Sequence, residues 1–349
     1  MRFLTVRAGP RALAHLHHHG LRPDDVDLML GASGGPRWLV LSHLDRYFID
    51  WFAQRQRPLY LVGASSGAWR FGCYAQQRAR AALERLEQVY VQQAYPPDPS
   101  PTYILGRCAE MQNFVLGHNG VRESLSHPYV RLNLVTALAR GWAGKPDHRQ
   151  GLGFLLAALA NMAGRRHLGR ICPRVLFSDP RDRPIWKLDD LETHLVDLTS
   201  DNLQPALVAS GAIPWLIRGV SDIAGGPSGI YRDGGVIDYH FDLPYGGPGL
   251  ALFPHFSARH VPGWFDTYWP RRRPLHIDHL LMIHPSPQFI ARLPFARVPD
   301  RDDFYRLDDA TRFEVWRQAV EAGRWLAEEF HALVETGDWA AVAQPLTSK

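Results

Sequence analysis

Two copies of the pattern G-x-S-x-G, each directly after an apolar stretch, constrain this chain more than any other feature. The first is GASGG at 31–35, after VDLML at 26–30; the second is GASSG at 63–67, after RPLYLV at 57–62. Short apolar runs without alternation are typical of strands that are buried on both faces. Each loop is followed by apolar residues at helical spacing, so the sequence predicts a repeated strand–loop–helix unit and a mainly parallel sheet.

Further segments extend this α/β pattern. Additional strands are predicted at 3–6, 173–179, 193–198 and 279–284. Helices are predicted at 10–19, 37–52, 68–93, in a segment ending near Gly211, and at 309–335. The stretch YPPDPSPTY at 95–103 is rich in proline, and 103–168 is predicted to be helical. We therefore expect one three-layer α/β/α domain over 1–349. In it, 95–168 forms a helical cap or insertion after the helix that follows GASSG, and 300–349 forms a C-terminal helical extension.

The GASSG stretch meets the requirements of a nucleophile elbow. In an elbow, the serine lies in strained backbone geometry between a strand and a helix, and small residues two positions before and after it avoid a clash. Gly63 and Gly67 flank Ser65 in this way, and a predicted helix follows. We expect Ser65 to be a nucleophile; the alternative is a plain strand–helix turn built of small residues.

The GASGG stretch is better suited to presenting backbone N–H groups. After Ser33 come Gly34 and Gly35, which free the backbone to turn its N–H groups toward a ligand, and Pro36 suits a first helical turn. Donors at a helix N-terminus favour negative charge, as an oxyanion hole requires. The alternatives are a phosphate-binding loop and a plain tight turn, although neither GxxxxGK nor GxGxxG matches here.

A third glycine motif lies far along the chain. Asp233-Gly234-Gly235 stands in the turn-rich segment IYRDGGVIDYHFDLPY at 230–245. A single DGG is usually only a turn. This one, however, follows a second small-residue segment, ALVASGAIPWL at 206–216.

In this order, the three motifs resemble the patatin-like phospholipase family. That family carries a glycine-rich oxyanion loop, G-G-G-x-R/K-G, after its first core strand, then a G-x-S-x-G elbow and, much further on, DGG or DGA. Here SGGPRW at 33–38 corresponds to the loop, 63–67 to the elbow and 233–235 to the third motif. The ASGAIP stretch at 209–214 also resembles the segment before the family's aspartate. The resemblance covers about 26–245.

The resemblance implies a serine hydrolase that acts on carboxylic esters of lipids through a Ser–Asp dyad, within a patatin-like fold. Ser65 would be the nucleophile and Asp233 the general base. Backbone N–H groups of Gly34 and Gly35 would hold the oxyanion, with Arg37 adding positive potential. No metal and no cofactor is implied.

Several alternatives stay open at this stage. Ser65, Asp233 and His284 follow one another in the order of an α/β-hydrolase triad, which would make the protein a Ser-Asp-His esterase. An acyltransferase would share the acyl-enzyme step, and a non-catalytic protein would use the glycine loops to bind an anion or lipid. Ser33 and Trp38 stand where the family's loop has glycines, and Trp38 is expected to crowd the helix start or line an acyl site.

Composition narrows the choice of partners and compartment. The 349-residue chain has a net charge of +4 without a long basic run, so nucleic acid is not expected. Three widely spaced cysteines without CxxC, and no apolar leader at the N-terminus, predict a reducing cytoplasm. His15 and His19 share a helix face, but no carboxylate or cysteine nearby completes a metal site, and a solvated helix end is expected.

One segment suggests contact with a membrane surface. GWFDTYWPRRRP at 263–274 interleaves four aromatic residues with Arg271, Arg272 and Arg273. Aromatic rings beside arginines suit the interface between lipid and water, where an enzyme meets a lipid ester. The alternative is a surface loop packed on the domain. The longest apolar run, FLLAALA at 154–160, is too short to span a bilayer.

Overall fold

A computed structural model describes residues 2–269 and 272–347; Pro270 and Arg271 of the aromatic and arginine-rich segment lie outside the described residues. The strands are Leu4–Ala8 (β1), Val26–Gly31 (β2), Leu59–Ala64 (β3), Val130–Ala139 (β4), Arg174–Ser178 (β5), Thr193–Asp197 (β6), Val220–Ser221 (β7), Ile230–Asp233 (β8), Leu250–Pro254 (β9), Leu280–Pro285 (β10) and Gln344–Pro345 (β11).

Helices connect these strands. The α-helices are Pro10–His19 (α1), Ser42–Trp51 (α2), Ser66–Tyr74 (α3), Ala79–Val91 (α4), Pro101–Leu116 (α5), Gly120–Ser126 (α6), Arg149–Ala163 (α7), Arg165–Ile171 (α8), Leu203–Ser210 (α9), Pro287–Ile290 (α10), Asp303–Arg306 (α11), Asp309–Thr336 (α12) and Trp339–Val342 (α13). Short 3-10 helices cover Pro23–Asp25, Gly35–Leu41, Gly141–Gly144, Gly234–Val236, Trp264–Tyr268 and Pro294–Ala296.

The strands form one sheet in the order β11-β1-β10-β9-β2-β3-β4-β5-β6, with β8 paired to β4 and β7 to β8. Among the described residues, six strand pairs are parallel and four are antiparallel. Every residue of β2 is buried, as expected for a central strand covered on both faces. The prediction of an α/β protein with a mainly parallel central sheet flanked by helices is confirmed.

The segment after the proline-rich stretch differs from its prediction. Helices α5, α6 and α7 lie there, but 130–139 forms β4, a strand between β3 and β5. The prediction that 103–168 is helical is therefore wrong at 130–139, while a cap role for the flanking helices remains a prediction. Leucine and alanine in VRLNLVTALA favour a helix, and burial of nearly the whole strand in the sheet overrides that local preference.

Two further boundaries also differ. The helix predicted over 68–93 is two helices, α3 and α4, separated at 75–78. All nine residues of α3 are buried, whereas α4 buries only one face. Strand β9 was not predicted, because the apolar run LALFP is short. The helix predicted at 309–335 is confirmed as α12.

Candidate active site

The two G-x-S-x-G loops leave neighbouring strands at the same level. Strands β2 and β3 are parallel, and Gly31 pairs with Gly63, the first residue of each loop. The carboxyl ends of adjacent parallel strands meet at one edge of a sheet, which is where sites in open α/β folds lie. The sheet register therefore places both loops side by side.

Ser65 adopts the strained geometry of an elbow. Its φ is 54° and its ψ is −128°, a conformation that residues with a side chain rarely adopt. It links β3 directly to α3, and its own N–H donates to Ser210 Oγ over 3.0 Å. Ser210 Oγ in turn donates to the carbonyl oxygen of Val135 over 2.7 Å. Strands β3 and β4 and the end of α9 thus fix the serine in place.

The small residues around Ser65 are required by close packing. A Cβ on Gly67 would lie 1.9 Å from the carbonyl oxygen of Gly31, and one on Gly63 would lie 2.6 Å from the nitrogen of Ala68. Real Cβ atoms do not approach other atoms this closely, so the backbones of the two loops touch only because glycine stands at these positions. The role of Gly63 and Gly67 in a nucleophile elbow stays a prediction.

Strand β4 pairs with both β3 and β8, and this double pairing brings Asp233 next to Ser65. The first part of β4 pairs with β3, where Val135 lies opposite Ala64. One residue further on, Thr136 pairs with Asp233, because β8 continues along the edge of β4 where β3 ends. The structure thereby brings together two residues that are 168 positions apart, and Ser65 Oγ donates to Asp233 Oδ2 over 2.7 Å.

The second carboxylate oxygen of Asp233 is also held. Oδ1 accepts the N–H of Gly235 over 2.7 Å. A Cβ on Gly235 would lie 2.5 Å from Ser33 Oγ, and one on Gly234 would lie 2.2 Å from the carbonyl oxygen of Val135, so both glycines allow close approach. Burial raises the pKa of Asp233 from 3.8 to about 6, although its hydrogen bonds to Ser65 and Gly235 act against the rise. A carboxylate with that pKa can accept a proton near neutral pH.

The glycine-rich loop lines the same cavity as the Ser65–Asp233 pair. Ser33, Gly34 and Gly35 contribute to its wall, and Gly35 has a φ of 55°. Among the described residues, nothing accepts a hydrogen bond from the N–H groups of Gly34 and Gly35. Ser33 Oγ is buried beside Gly235 and has no partner in the described chain. The loop therefore lines the cavity at Ser65, and the N–H groups of Gly34 and Gly35 have no acceptor among the described residues.

Arg37 lies on the cavity wall but is not a free positive charge. Its Nε donates to Asp300 Oδ2 over 2.8 Å, a second guanidinium nitrogen contacts the same oxygen, and a third donates to Tyr239 Oη over 3.2 Å. The negative charge of Asp300 therefore offsets much of the positive electrostatic potential that Arg37 was expected to add at the oxyanion. Trp38 is fully buried and packs edge-on against Tyr90, 5.5 Å between ring centroids.

Histidines lie apart from the Ser65–Asp233 pair. The Nδ1 atom of His284 lies 2.9 Å from the carbonyl oxygen of Pro285. His240 stacks on Tyr239, and burial lowers its pKa well below the usual value. In the described part of the chain, no histidine makes a hydrogen bond with either residue of the pair, so the arrangement required for a Ser65–Asp233–His284 triad is not formed in this structure.

Two cavities meet at Ser65. One, of about 480 Å³, contains Asp233 and the glycine loop and includes the charged side chains of Arg37 and Asp300. The other, of about 750 Å³, extends toward the proline-rich stretch. Its wall is largely aromatic and apolar and includes Trp69, Tyr90, Tyr95, Ile104, Cys108, Ile217 and Phe304, together with the charged residues Asp98, Arg301, Asp309 and Arg312. A reacting group at Ser65 thus has access to both a polar and an apolar compartment.

Several residues at the site were not identified from the sequence. Tyr239, Asp300 and Arg301 line the polar cavity, and Arg301 also reaches the apolar one. Asp300 and Arg301 come from a segment without a motif, so no local signal marks them. Tyr239 lies in the 230–245 segment of the DGG motif, but the motif itself does not point to it. Ser210 is different, because it lies within the small-residue stretch that already stood out before the DGG motif.

The described residues also bear on metal binding, membrane insertion and thiol chemistry. No group of three or more His, Cys, Asp or Glu side chains there is placed to hold a metal ion. Within 2–269 and 272–347, none of the helices combines the length and hydropathy needed to cross a bilayer. The cysteines Cys73, Cys108 and Cys172 are free thiols and buried.

Comparisons with known proteins leave the family of this chain open. No protein-family model matches it, and no curated protein does. Among solved structures, the crystal structure of type III effector protein ExoU matches with 12% identity and a TM-score of 0.29. The match covers 93% of this chain and 54% of ExoU, so the chain spans about half the length of that protein. At this score, the match assigns no function to the chain.

Proposed function

We propose that the protein is a lipid acyl hydrolase, a phospholipase A-like esterase that uses a Ser65–Asp233 dyad. One observation supports this above all others: a strained, buried serine donates a 2.7 Å hydrogen bond to a buried carboxylate at the junction of two cavities. Nucleophile and base within hydrogen-bond reach are the signature of nucleophilic catalysis.

The proposed reaction proceeds through an acyl-enzyme. Ser65 Oγ attacks the ester carbonyl carbon while its proton passes to Asp233, and the resulting oxyanion is held by the N–H groups of Gly34 and Gly35. The carbon–oxygen bond to the alcohol then breaks, and the departing oxygen takes the proton from Asp233. Water attacks the acyl-enzyme, gives a proton to Asp233 and releases the fatty acid, and Ser65 Oγ recovers that proton.

The two cavities suggest how a lipid ester would be oriented. The apolar wall around Trp69, Tyr90 and Ile104 suits a hydrocarbon chain, whose burial is favourable at about 25 cal/mol per Å². The cavity with Arg37, Asp300 and Arg301 suits the polar part of the molecule. An ester carbonyl between them would lie at Ser65.

A fluorophosphonate probe tests this proposal, because it labels activated serines. We expect labelling of the wild type, loss of labelling in Ser65→Ala and retention in Ser33→Ala, the matched serine of the other loop. Loss in Ser33→Ala alone would reverse the assignment of the two loops. A folded wild type that never reacts would contradict the enzyme proposal. Product analysis in water and with alcohol or lysolipid acceptors then separates hydrolysis from acyl transfer.

A further inference from the structure

Helix α7 presents a large apolar face to solvent. After Arg149, no charged residue occurs until Arg165, which follows the helix. One side packs inward through Phe154, Ala157 and Asn161. The other side carries five large apolar side chains, each 46–56% exposed: Leu152, Leu155, Leu156, Leu159 and Met162. A soluble surface helix normally places polar residues on this side.

Aromatic residues from two other segments continue this surface. Phe154 contacts Trp215 at 5.1 Å between ring centroids, and Trp215 contacts Trp264 at 6.3 Å. Asn161 Nδ2 donates to Asp266 Oδ1 over 2.6 Å, which ties α7 to the 3-10 helix Trp264–Tyr268. We define the apolar face as the five exposed α7 side chains together with Trp215, Trp264, Tyr268 and Trp269. A cavity of about 390 Å³ lies between α7 and these rings.

The apolar face borders the cavity that contains Ser65. Trp215 and Trp264 line both that cavity and the one beside α7. Trp215 is half exposed. Its backbone N–H donates to Gln150 Oε1 over 3.1 Å, and this hydrogen bond holds the backbone of Trp215 against α7. A molecule moving from the apolar face toward Ser65 would pass these two tryptophans.

Exposed basic side chains lie in the segments that carry the apolar face, and we call them its basic rim. Residues 145–170 contain five Lys or Arg and a single acidic residue, Asp147, which pairs with Arg149 at 2.6 Å. Arg165 is held by Asp190 and Asp238. The exposed basic residues are Lys145, Arg149, Arg166 and Arg170 around α7 and Arg273 after the aromatic segment. Leucines and tryptophans within a basic rim are the pattern of elements that lie in a lipid interface.

We infer that the apolar face docks on an anionic lipid surface, with the α7 leucines at the boundary between headgroups and acyl chains and the Ser65 cavity opening toward the lipid. This inference rests on the proposed function in that the docked lipid also supplies the substrate. A symmetric dimer through the same face is disfavoured, because it would bring the same basic rim of two copies together. A lipid surface with anionic headgroups instead complements the rim.

Vesicle co-sedimentation tests the docking without turnover when it is done with the Ser65→Ala protein. We expect binding to vesicles of phosphatidylcholine with phosphatidylserine, and much weaker binding to phosphatidylcholine alone. Leu155→Ser combined with Leu159→Ser should weaken binding about tenfold or more, because two leucines no longer enter the interface. Phe114→Ser on α5, which is exposed to the same degree (48%), is the matched control and should bind like the parent.

A fluorophore attached at a single position shows whether the apolar face, and not another surface, contacts the lipid. Because the three native cysteines are buried, Leu156→Cys can carry an environment-sensitive fluorophore selectively, and Phe114→Cys provides the control. A blue shift on anionic vesicles at 156 and none at 114 supports the inference. An equal response at both positions, unchanged binding of the double variant, or concentration-dependent dimerisation that the double variant abolishes would overturn it. Turnover of a soluble short-chain ester tests the proposed function separately, since retained turnover without vesicle binding overturns only the docking.

Discussion

At the scale of single residues, Ser65 combines a reactive position with an unfavourable backbone. Its φ of 54° and ψ of −128° persist because β3, α3 and the hydrogen bond to Ser210 hold them. Such outliers cost of the order of 1–3 kcal/mol and are found at functional sites. The structure therefore stores strain where the proposed nucleophile lies.

Comparison of Ser65→Gly with Ser65→Ala measures that strain. Both variants lose the hydroxyl group, but only glycine adopts this conformation without strain. At an ordinary helix position glycine is less stable than alanine by roughly 0.5–1 kcal/mol. Here we expect the reverse, with Ser65→Gly about 1 kcal/mol more stable in urea unfolding. An alanine variant of equal or greater stability would show that the backbone relaxes and that no strain is stored.

The negative charge on buried Asp233 should also lower the free energy of unfolding. Burial raises its folded-state pKa from 3.8 to about 6, so the stability that the protonated form provides is complete below the unfolded-state pKa and is lost as the pH rises through about 6. Asp233→Asn keeps the shape and can still accept from Gly235. We expect this variant to be about 2–3 kcal/mol more stable than the wild type at pH 8, with the difference disappearing toward pH 4.

Urea unfolding of both proteins across this pH range provides the measurement. Labelling by the fluorophosphonate probe should be lost in Asp233→Asn at every pH, because the base is missing. A stability difference that does not change with pH would mean that the carboxylate titrates normally in the folded protein.

At the scale of elements, the site depends on how closely α3 approaches β2. Gly67 in α3 touches the backbone of Gly31 at the end of β2, and a Cβ there would lie 1.9 Å from the carbonyl oxygen. Since that atom is backbone, it cannot move aside as a flexible side chain could. The distance between the two glycine loops is therefore set by this contact.

Gly67→Ala should separate the two loops. We expect a loss of several kcal/mol in stability, as for other overpacked cores, and reduced probe labelling in the fraction that folds. Gly106→Ala in α5 is the matched control, because a Cβ there meets nothing within 4 Å. It should stabilise the protein by roughly 0.5–1 kcal/mol, since alanine is the better helix former. Equal melting temperatures of the two variants would contradict the proposed contact.

The elements also show what the sequence could and could not predict. Strands β2 and β3 and their loops followed from apolar runs and glycine spacing, which are local signals. Strand β4 did not, because its residues suit a helix and only the neighbouring strands make it extended. The proximity of Ser65 and Asp233 could be expected from the order of the motifs. The pairing of Arg37 with Asp300 could not, because these residues are 263 positions apart and neither segment has a pattern that points to the other.

At the scale of the whole molecule, the C-terminal region forms part of the site. Arg301 and Tyr305 line both cavities at Ser65. Helix α12 packs on α2 and on the 3-10 helix that follows GASGG, where a Cβ on Gly323 would lie 2.6 Å from the carbonyl oxygen of Val40. The first and last parts of the chain thus enclose the same space, so damage to α12 should reach Ser65.

Trp316→Ala tests this connection. Trp316 is fully buried in α12, its Nε1 donates to Asp303 Oδ2 over 2.9 Å, and its ring packs against Phe304 and Tyr90 of the apolar cavity. Removing the ring should cost about 3–5 kcal/mol and leave a void beside that cavity.

Thermal unfolding followed by tryptophan fluorescence, together with the rate of probe labelling well below the melting temperature, gives two readouts. Phe313→Ala, a half-buried aromatic residue on the same helix, should cost about 1 kcal/mol and label at the wild-type rate. If the ends of the chain act as one unit, Trp316→Ala will unfold in a single transition at lower temperature and label more slowly even while folded. Two separate transitions, or wild-type labelling of the folded variant, would mean that α12 is energetically independent of the site.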